Sequence, residues 1–234
     1  MELNLVTYTH SNCKDALQVH NELVEENLKP DNHFIFSDYK TNDKNCLIYD
    51  DNEPYSSHYS NLIKQINKKY FIYHQEDFFI YNKVNKNKLL QYIQFLEDNQ
   101  DYSFVRLLKS GFTRGEKISD TLYSIETDSD QIFSMQPTIW RTEDLIKIYD
   151  DKIVKKLRDE SEFRASCLKL NIKGAYHFNY ENKRGLNHFD SSVYPCICTA
   201  LVRGKWNLIE YPDELVKILN KFSIDPYKRG LYGI

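Results

Sequence analysis

Residues 70–78 read Tyr70-Phe71-Ile72-Tyr73-His74-Gln75-Glu76-Asp77-Phe78, an apolar run that leads directly into an amide and two carboxylates. A short continuous apolar run is typical of a strand that is buried on both faces, as strands in parallel sheets are. Ligands of open α/β sheets bind at the carboxyl ends of such strands. The segment therefore predicts a ligand crevice beside Gln75, Glu76 and Asp77.

The sequence before this strand alternates between short apolar runs and helical periodicity. Strands are predicted at residues 3–8, 33–38 and 46–49, and helices at residues 17–28 and 59–66. Ser56 or Ser57 is expected to cap the second helix. Strands that alternate with helices predict an α/β fold with a parallel sheet.

After residue 78, a predicted helix at 89–96 and a strand at 103–108 continue the alternation, which loosens beyond Gly111. We expect strands near residues 121–125, 175–180 and 195–202. Helices are expected to begin at Thr142, at the acidic segment Asp159-Glu160-Ser161-Glu162-Phe163, and at Pro212. No internal repeat or low-complexity linker marks a boundary, so the sequence predicts a single domain.

The composition is typical of a globular protein. Of the 234 residues, 41% are hydrophobic and 28% are charged, and 31 Lys and Arg against 34 Asp and Glu leave a net charge of -3. This balance gives no electrostatic case for binding nucleic acid. The first residues do not read as a signal peptide, and no uncharged run reaches the about 18 residues of a transmembrane segment. Five cysteines without C-x-x-C spacing fit a reducing compartment, so we expect a cytoplasmic protein.

Three common motifs of phosphate binding and catalysis are absent from the sequence. It contains no G-x-x-x-x-G-K-[ST] loop, no G-x-G-x-x-G after the first strand and no G-x-S-x-G elbow. Residues 7–12 contain no glycine that would let the backbone wrap closely around a phosphate. A bound nucleotide is therefore expected to be held by polar side chains and a metal ion.

Six short motifs accompany this order of elements: Leu5-Val6-Thr7-Tyr8-Thr9-His10, Phe36-Ser37-Asp38, the segment 70–78, Gln136-Pro137-Thr138-Ile139-Trp140-Arg141, Asp159-Glu160-Ser161-Glu162-Phe163 and Arg203-Gly204-Lys205-Trp206-Asn207. Together they resemble a small GT-A glycosyltransferase, a nucleotide-sugar transferase of the type that serves surface-glycan synthesis in bacteria and large viruses. The resemblance implies a Rossmann-like, mostly parallel mixed sheet flanked by helices. It also implies a nucleotide-sugar-binding lobe at residues 1–110 and an acceptor-binding lobe at residues 111–234.

The resemblance implies roles for two groups of residues on the nucleotide side. Thr7 and Thr9, with Tyr8 and His10 beside them, would contact the base or ribose of a nucleoside-diphosphate sugar. Asp38 would accept a hydrogen bond from the base ring.

Gln75-Glu76-Asp77 occupies the place of the family's D-x-D motif, whose carboxylates bind a divalent cation that bridges the diphosphate. Glu76 and Asp77 offer the oxygen ligands that Mg²⁺ and Mn²⁺ take, whereas Gln75 is neutral where the motif has its first carboxylate. The alternative is that these carboxylates only end a strand and cap the next turn. His188 matches a late histidine that supplies a further metal ligand in some relatives.

The acidic segment at 159–162 matches the place of the catalytic base in inverting members of the family. Glu160 or Glu162 would remove the proton of the acceptor hydroxyl as it attacks the anomeric carbon. The alternative is that an acidic helix start only complements the helix dipole. The predicted function is transfer of a sugar to a hydroxyl of a glycan or small acceptor. The other candidates are a sugar-nucleotidyltransferase and a catalytically degenerate GT-A domain that binds glycans or acts in assembly. The sequence does not identify the donor sugar, the acceptor or the oligomeric state.

Overall fold

An eight-stranded mixed sheet forms the centre of the computed structural model, which describes residues 1–151, 160–185 and 187–233. Across the sheet the strands are β3 (Cys46–Ile48), β2 (Asn32–Ser37), β1 (Asn4–Tyr8), β4 (Tyr70–Gln75), β8 (Thr138–Arg141), β6 (Phe104–Arg106), β9 (Gly174–His177) and β7 (Leu122–Ser124). Strands β1 to β4 are parallel, whereas β8 runs antiparallel to both of its neighbours and β7 runs antiparallel to β9. The predicted α/β fold with a mostly parallel mixed sheet is confirmed.

Three pairs of very short strands lie beside the main sheet. Strand β5 (Phe79–Ile80) pairs with β12 (Cys196–Ile197), β10 (Lys183–Arg184) with β11 (His188–Phe189), and β13 (Leu201–Val202) with β14 (Lys205–Trp206). They fold the second half of the chain back over the carboxyl edge of the sheet, where strands β1, β2, β4 and β6 end.

The helices flank the sheet: α1 (Lys14–Asn27), α2 (Tyr55–Ile66), α3 (Lys86–Asp98), α4 (Thr142–Tyr149), α5 (Glu160–Lys169), α6 (Pro212–Lys221) and α7 (Pro226–Arg229). The cap predicted for α2 is wrong, since Pro54 precedes the helix and Ser56 and Ser57 lie in its first turn. Asp159, the first residue of the predicted acidic start of α5, lies outside the described residues. Across the described residues, no helix combines the length and apolar character that a membrane crossing needs.

A buried cluster of histidines lies between α1 and the sheet. The Nε2 atom of His20 lies 2.9 Å from Nδ1 of His74, and His74 Nε2 lies 2.7 Å from the Tyr194 hydroxyl. Burial lowers the pKa of His20 to about 3 and that of His33 to about 4, and it holds the pKa of His74 well below its usual range. These side chains are therefore neutral parts of the core at neutral pH.

Candidate functional site

Two cavities open at the carboxyl edge of the sheet. The first-loop cavity, of about 640 Å³, lies between the segment after β1 and the C-terminal helix, and is lined by Ser11, Asn12, Lys14, Asp15, Trp206, Ser223, Ile224, Asp225, Lys228 and Arg229. The central cleft, of about 280 Å³, is lined by Gly111, Phe112, Gln131, Ser134, Met135, Gln136, Glu160, Arg164, Asn187, His188, Cys198 and Thr199. Because Tyr73 pairs with Thr138, Gln136 lies beyond the same edge as Gln75.

The side chains predicted to contact a nucleotide around the first loop differ in their exposure to solvent. Thr7, Tyr8 and Thr9 are almost completely buried. The Thr7 hydroxyl bonds to His33 Nε2 at 2.9 Å, and the Tyr8 hydroxyl lies 3.2 Å from His58 Nε2. These three side chains therefore lie inside the protein, with the Tyr8 ring packed against Tyr49 and against Tyr55 and His58 of α2.

His10 and Asp38 remain at the surface of this loop. Asp38 Oδ1 accepts a 2.7 Å hydrogen bond from the Ser11 amide, and its Oδ2 lies 3.4 Å from His10 Nε2. His10 Nε2 also lies 3.3 Å from Asp51 Oδ2. Asp38 therefore connects the first loop to the end of β2. A ligand that hydrogen-bonds to Asp38 would lie beside this loop.

Gln75, Glu76 and Asp77 lie between the two cavities and point in different directions. The Gln75 amide donates to the Tyr73 hydroxyl and approaches the Met135 sulfur at 3.4 Å, on the side of the central cleft. Glu76 lies beside Cys13, on the side of the first loop, and together with burial raises the pKa of that thiol. Asp77 accepts from the Leu201 amide at 3.4 Å. The segment thus contacts the walls of both cavities.

A hydrogen-bonded relay forms the floor of the central cleft. Arg106 Nη1 donates to Ser110 Oγ at 2.8 Å, Ser110 donates to Gln136 Oε1 at 2.7 Å, and Gln136 Nε2 donates to the Asn187 carbonyl at 3.2 Å. This chain fixes which end of the Gln136 amide is the donor, and the second N–H of Nε2 is left for a ligand.

Arg106 is the buried cation beneath this floor. Its side chain is 1% exposed, and among the described residues no carboxylate lies within 4 Å of its guanidinium. Burial lowers the pKa of Arg106 to about 10, and the charge of Glu160 acts in the opposite direction. A buried charge without an ionic partner is costly, and such groups are characteristic of sites that receive an opposite charge.

The two candidate bases at the start of α5 differ in what they face. Glu160 lines the central cleft, where its Oε1 accepts from the Met135 amide at 3.3 Å and its Oε2 lies 3.0 Å from Arg164 Nη2. Glu162 is not among the residues that line the cleft. The helix rotates the two side chains by about 200° relative to each other, so only Glu160 points its carboxylate at this space.

His188 is buried in the wall of the central cleft at 1% exposure. Its Nε2 lies 3.5 Å from Glu210 Oε2 and forms no hydrogen bond, and its ring stacks on Tyr211 with centroids 5.7 Å apart. Burial lowers the pKa of His188, and Glu210 opposes this shift.

The described residues contain no cluster of three or more His, Cys, Asp and Glu side chains that could hold a metal ion by themselves. The predicted metal site would need a different arrangement, in which one or two protein oxygens and the oxygens of a bound diphosphate share the cation, as is usual for Mg²⁺. The metal roles of Asp77 and His188 stay predictions.

Nothing local in the sequence shows that Arg106 is buried rather than solvated, and sequence reasoning missed Ser110. It also missed the basic side chains that border the first-loop cavity, Lys14, Lys228 and Arg229, which come from opposite ends of the chain. Gln136 belongs to a motif quoted in the sequence analysis. Its position directly before Pro137 and β8 indicates a residue at the edge of the sheet.

Solved structures share this fold at low sequence identity. The structure of S. aureus TarS 1-349 in complex with UDP-GlcNAc is 14% identical over 95% of this chain and 66% of that chain, with a TM-score of 0.50. A cytidylyltransferase from Leptospira borgpetersenii serovar Hardjo-bovis is 13% identical over 95% of both chains, with a TM-score of 0.47. CMP:2-keto-3-deoxy-manno-octonic acid synthetase complexed with CTP is 10% identical over 74% of this chain and 88% of that chain, with a TM-score of 0.45.

No protein-family model matches the sequence, and no curated protein matches it. The likeness to the solved structures therefore concerns the fold. The chain shares the α/β fold of the S. aureus TarS 1-349 structure.

Proposed function

We propose that the protein is a glycosyltransferase that moves a sugar from a nucleoside-diphosphate sugar to a hydroxyl group of a glycan or small acceptor, with inversion at the anomeric carbon. The observation that carries this proposal is the position of Glu160. Its carboxylate is fixed at the wall of the central cleft by Met135 and Arg164, beside the oriented amide of Gln136. A fixed carboxylate is the group that sugar transfer to a hydroxyl requires.

In this proposal the nucleotide occupies the first-loop cavity and the sugar reaches past Gln75 and Asp77 into the central cleft. Asp38 and His10 lie where the base would bind, and Lys14, Lys228 and Arg229 would face the phosphates. The two halves of the chain then share the nucleotide side, since four of the ten residues that line the first-loop cavity come from residues 1–110 and six from residues 206–229, whereas the central cleft is lined by residues of 111–234. Trp206 and helix α7 are the part of the second lobe that would contribute to the nucleotide side.

The chemical step places each charge near a group that stabilises it. Glu160 takes the proton of the acceptor hydroxyl, whose oxygen attacks the anomeric carbon as the bond from that carbon to the diphosphate oxygen breaks. Negative charge grows on the leaving diphosphate, and the cations of the first-loop cavity and the buried Arg106 lower the energy of that charge. A divalent cation held by Glu76 and Asp77 would add positive charge at the phosphates.

A sugar-nucleotidyltransferase is the second candidate, because Lys14, Lys228 and Arg229 border a cavity that would also suit a triphosphate. The products distinguish the two. Supplied with UDP-, GDP-, TDP- and CDP-sugars and a panel of glycan acceptors, a glycosyltransferase releases the nucleoside diphosphate. Supplied with nucleoside triphosphates and sugar 1-phosphates, a nucleotidyltransferase releases pyrophosphate. Binding of nucleotides or glycans without either product would instead support the degenerate GT-A module.

A further inference from the structure

Four aromatic side chains form a connected surface beside the central cleft, which we call the aromatic track: Tyr123, Phe178, Tyr180 and Phe189. The ring of Phe178 lies at its centre, with its centroid 5.5 Å from Tyr180 and 5.3 Å from Phe189. Tyr123 lies 6.2 Å from Phe178, and a hydrogen bond with Tyr180 raises the pKa of Tyr123. Tyr180 is 75% exposed, so much of this surface faces solvent.

The aromatic track is continuous with the central cleft. His188 and Phe189 point to opposite faces of β11, His188 into the cleft and Phe189 towards Phe178, and the Phe189 amide donates to the Lys109 carbonyl at 3.0 Å. Lys183 pairs with Phe189 across β10 and β11, and its ammonium lies 5.4 Å from the ring of Phe112, which is 71% exposed at the rim of the cleft. A ligand that leaves the cleft at Phe112 therefore meets the track next.

Tyr180 is held outward by a turn in which it adopts the left-handed region, with φ of 59°. Glu181 clamps this turn, because it lies 2.8 Å from His177 Nε2 and accepts from Ser192 Oγ at 2.7 Å. A bulky residue at positive φ is uncommon and is strained relative to Asn or Gly. An exposed aromatic residue that the fold maintains at this cost is better explained by a ligand than by packing.

Two lysines on the aromatic track, Lys109 and Lys183, favour a negatively charged ligand. The Lys109 ammonium lies 4.5 Å from the centroid of Phe178 and 4.9 Å from that of Phe189. Within the described ranges, neither Lys109 nor Lys183 has a carboxylate within 4 Å of its ammonium. Aromatic faces cover the apolar C–H faces of sugar rings, while tyrosine hydroxyls and ammonium groups donate to sugar hydroxyls and to negative substituents.

We propose that the aromatic track binds the chain of an extended, negatively charged oligosaccharide acceptor whose terminal hydroxyl enters the central cleft. This inference rests on the proposed glycosyltransferase function, because it assigns the acceptor side of that same site. It specifies the acceptor as a polymer rather than a small molecule, and as anionic rather than neutral.

The direct test measures binding without any donor, using an oligogalacturonide as the anionic probe, a cello-oligosaccharide of equal length as the neutral probe, and galacturonic acid as the short probe. The wild-type protein is expected to bind the oligogalacturonide most tightly in a fluorescence titration. Tyr180→Asn keeps the left-handed turn but removes the ring, and is expected to weaken binding of the oligogalacturonide by about tenfold. Lys109→Gln is expected to reduce the preference for the anionic over the neutral probe.

Tyr227→Ala is the matched control, because Tyr227 is 79% exposed and lies on α7, away from the track. The inference is overturned if the wild type does not prefer the oligogalacturonide to galacturonic acid, or if Tyr227→Ala weakens binding as much as Tyr180→Asn does. It is also overturned if sedimentation shows that the surface is a dimer contact that Tyr180→Asn abolishes. Oligosaccharide binding without release of a nucleoside diphosphate would instead count against the proposed function alone.

Discussion

The two sides of the carboxyl edge use their polar side chains in opposite ways. On the side of the first loop, the hydroxyls of Thr7 and Tyr8 are buried and bonded to histidines of the core. On the side of the central cleft, Glu160 and Gln136 line open space and are held by neighbours that fix their orientation. A polar residue near the end of a strand is therefore not automatically accessible, since the next helix decides whether it is covered.

The largest effect is expected on the cleft side. Glu160→Gln keeps an acceptor oxygen for the Met135 amide but cannot take a proton. Turnover should fall by about 10²- to 10⁴-fold with little change in donor affinity, because the base acts in the transition state. The measurement is single-turnover and steady-state kinetics with the donor identified by product release.

Glu162→Gln is the matched control for this variant and should stay within about 0.5 kcal/mol of the wild type in activation free energy, as surface changes usually do. Near wild-type turnover in both single variants and in the double variant would remove the acidic start of α5 from the mechanism.

The next effect is expected on the first-loop side and concerns stability rather than activity. Histidines of the unfolded chain take up protons near their ordinary pKa of about 6.5, whereas His20 and His33 do so only at about 3 and about 4. Their contribution to the free energy of unfolding is complete above the unfolded pKa and is lost as the pH falls toward the folded values. For His20 alone the loss at pH 4 is on the order of 3 kcal/mol.

Urea unfolding at a series of pH values measures this loss. His20→Gln removes one of the two titrating imidazoles and should flatten the dependence between pH 6.5 and pH 4. Equal slopes for the wild type and His20→Gln would show that the buried histidines do not control acid stability.

A smaller effect is expected where the first loop reaches the surface. Asp38→Ala removes both the acceptor for the Ser11 amide and the carboxylate beside His10. Binding of a nucleoside diphosphate should weaken by about 1–3 kcal/mol, because the N–H of the base ring would lose its acceptor and be left unpaired. Calorimetry measures this change, and Asp51→Ala, which also removes a carboxylate beside His10, is the comparison. Unchanged affinity in Asp38→Ala would remove Asp38 from the nucleotide site.

The smallest effect is expected at Thr9, where a substitution tests whether the side chain contacts a nucleotide or only belongs to the core. Its hydroxyl is buried and has no hydrogen-bond partner among the residues that the structure describes, while its carbonyl accepts from the Tyr49 hydroxyl at 2.8 Å. Thr9→Val should leave nucleotide affinity unchanged and raise the free energy of unfolding by up to about 1 kcal/mol, because an unsatisfied polar group is removed. A clear loss of affinity would return Thr9 to the nucleotide site.

The first four strands and the two helices among them, α1 and α2, could be predicted from sequence, because their signals are local periodicities such as the apolar run at 70–73. The direction of β8 could not, because nothing within residues 138–141 shows that they pair antiparallel with both β4 and β6. The very short strands after residue 182 have too few residues to show any period.

The site was predictable to a similar degree and for the same reason. The roles of Asp77 and Glu160 stay predictions: the position of Asp77 directly after a strand and the family resemblance at the start of α5 indicated them, and Glu160 lies in the wall of the central cleft. The Arg106 relay depends on Ser110, Gln136 and Asn187 meeting from three separate segments. The burial of Thr7 depends on how α1 covers the strand that precedes it.

Arg229 connects the two extremes of the chain in space. Its guanidinium donates to Asp15 Oδ2 at 3.0 Å and to the Asn12 carbonyl at 2.9 Å, across a separation of 214 residues to Asp15. During translation the first loop and α1 leave the ribosome long before this arginine is made. The wall of the first-loop cavity formed by α7 is therefore made after all eight strands of the main sheet, and the cavity is incomplete until α7 has folded against α1.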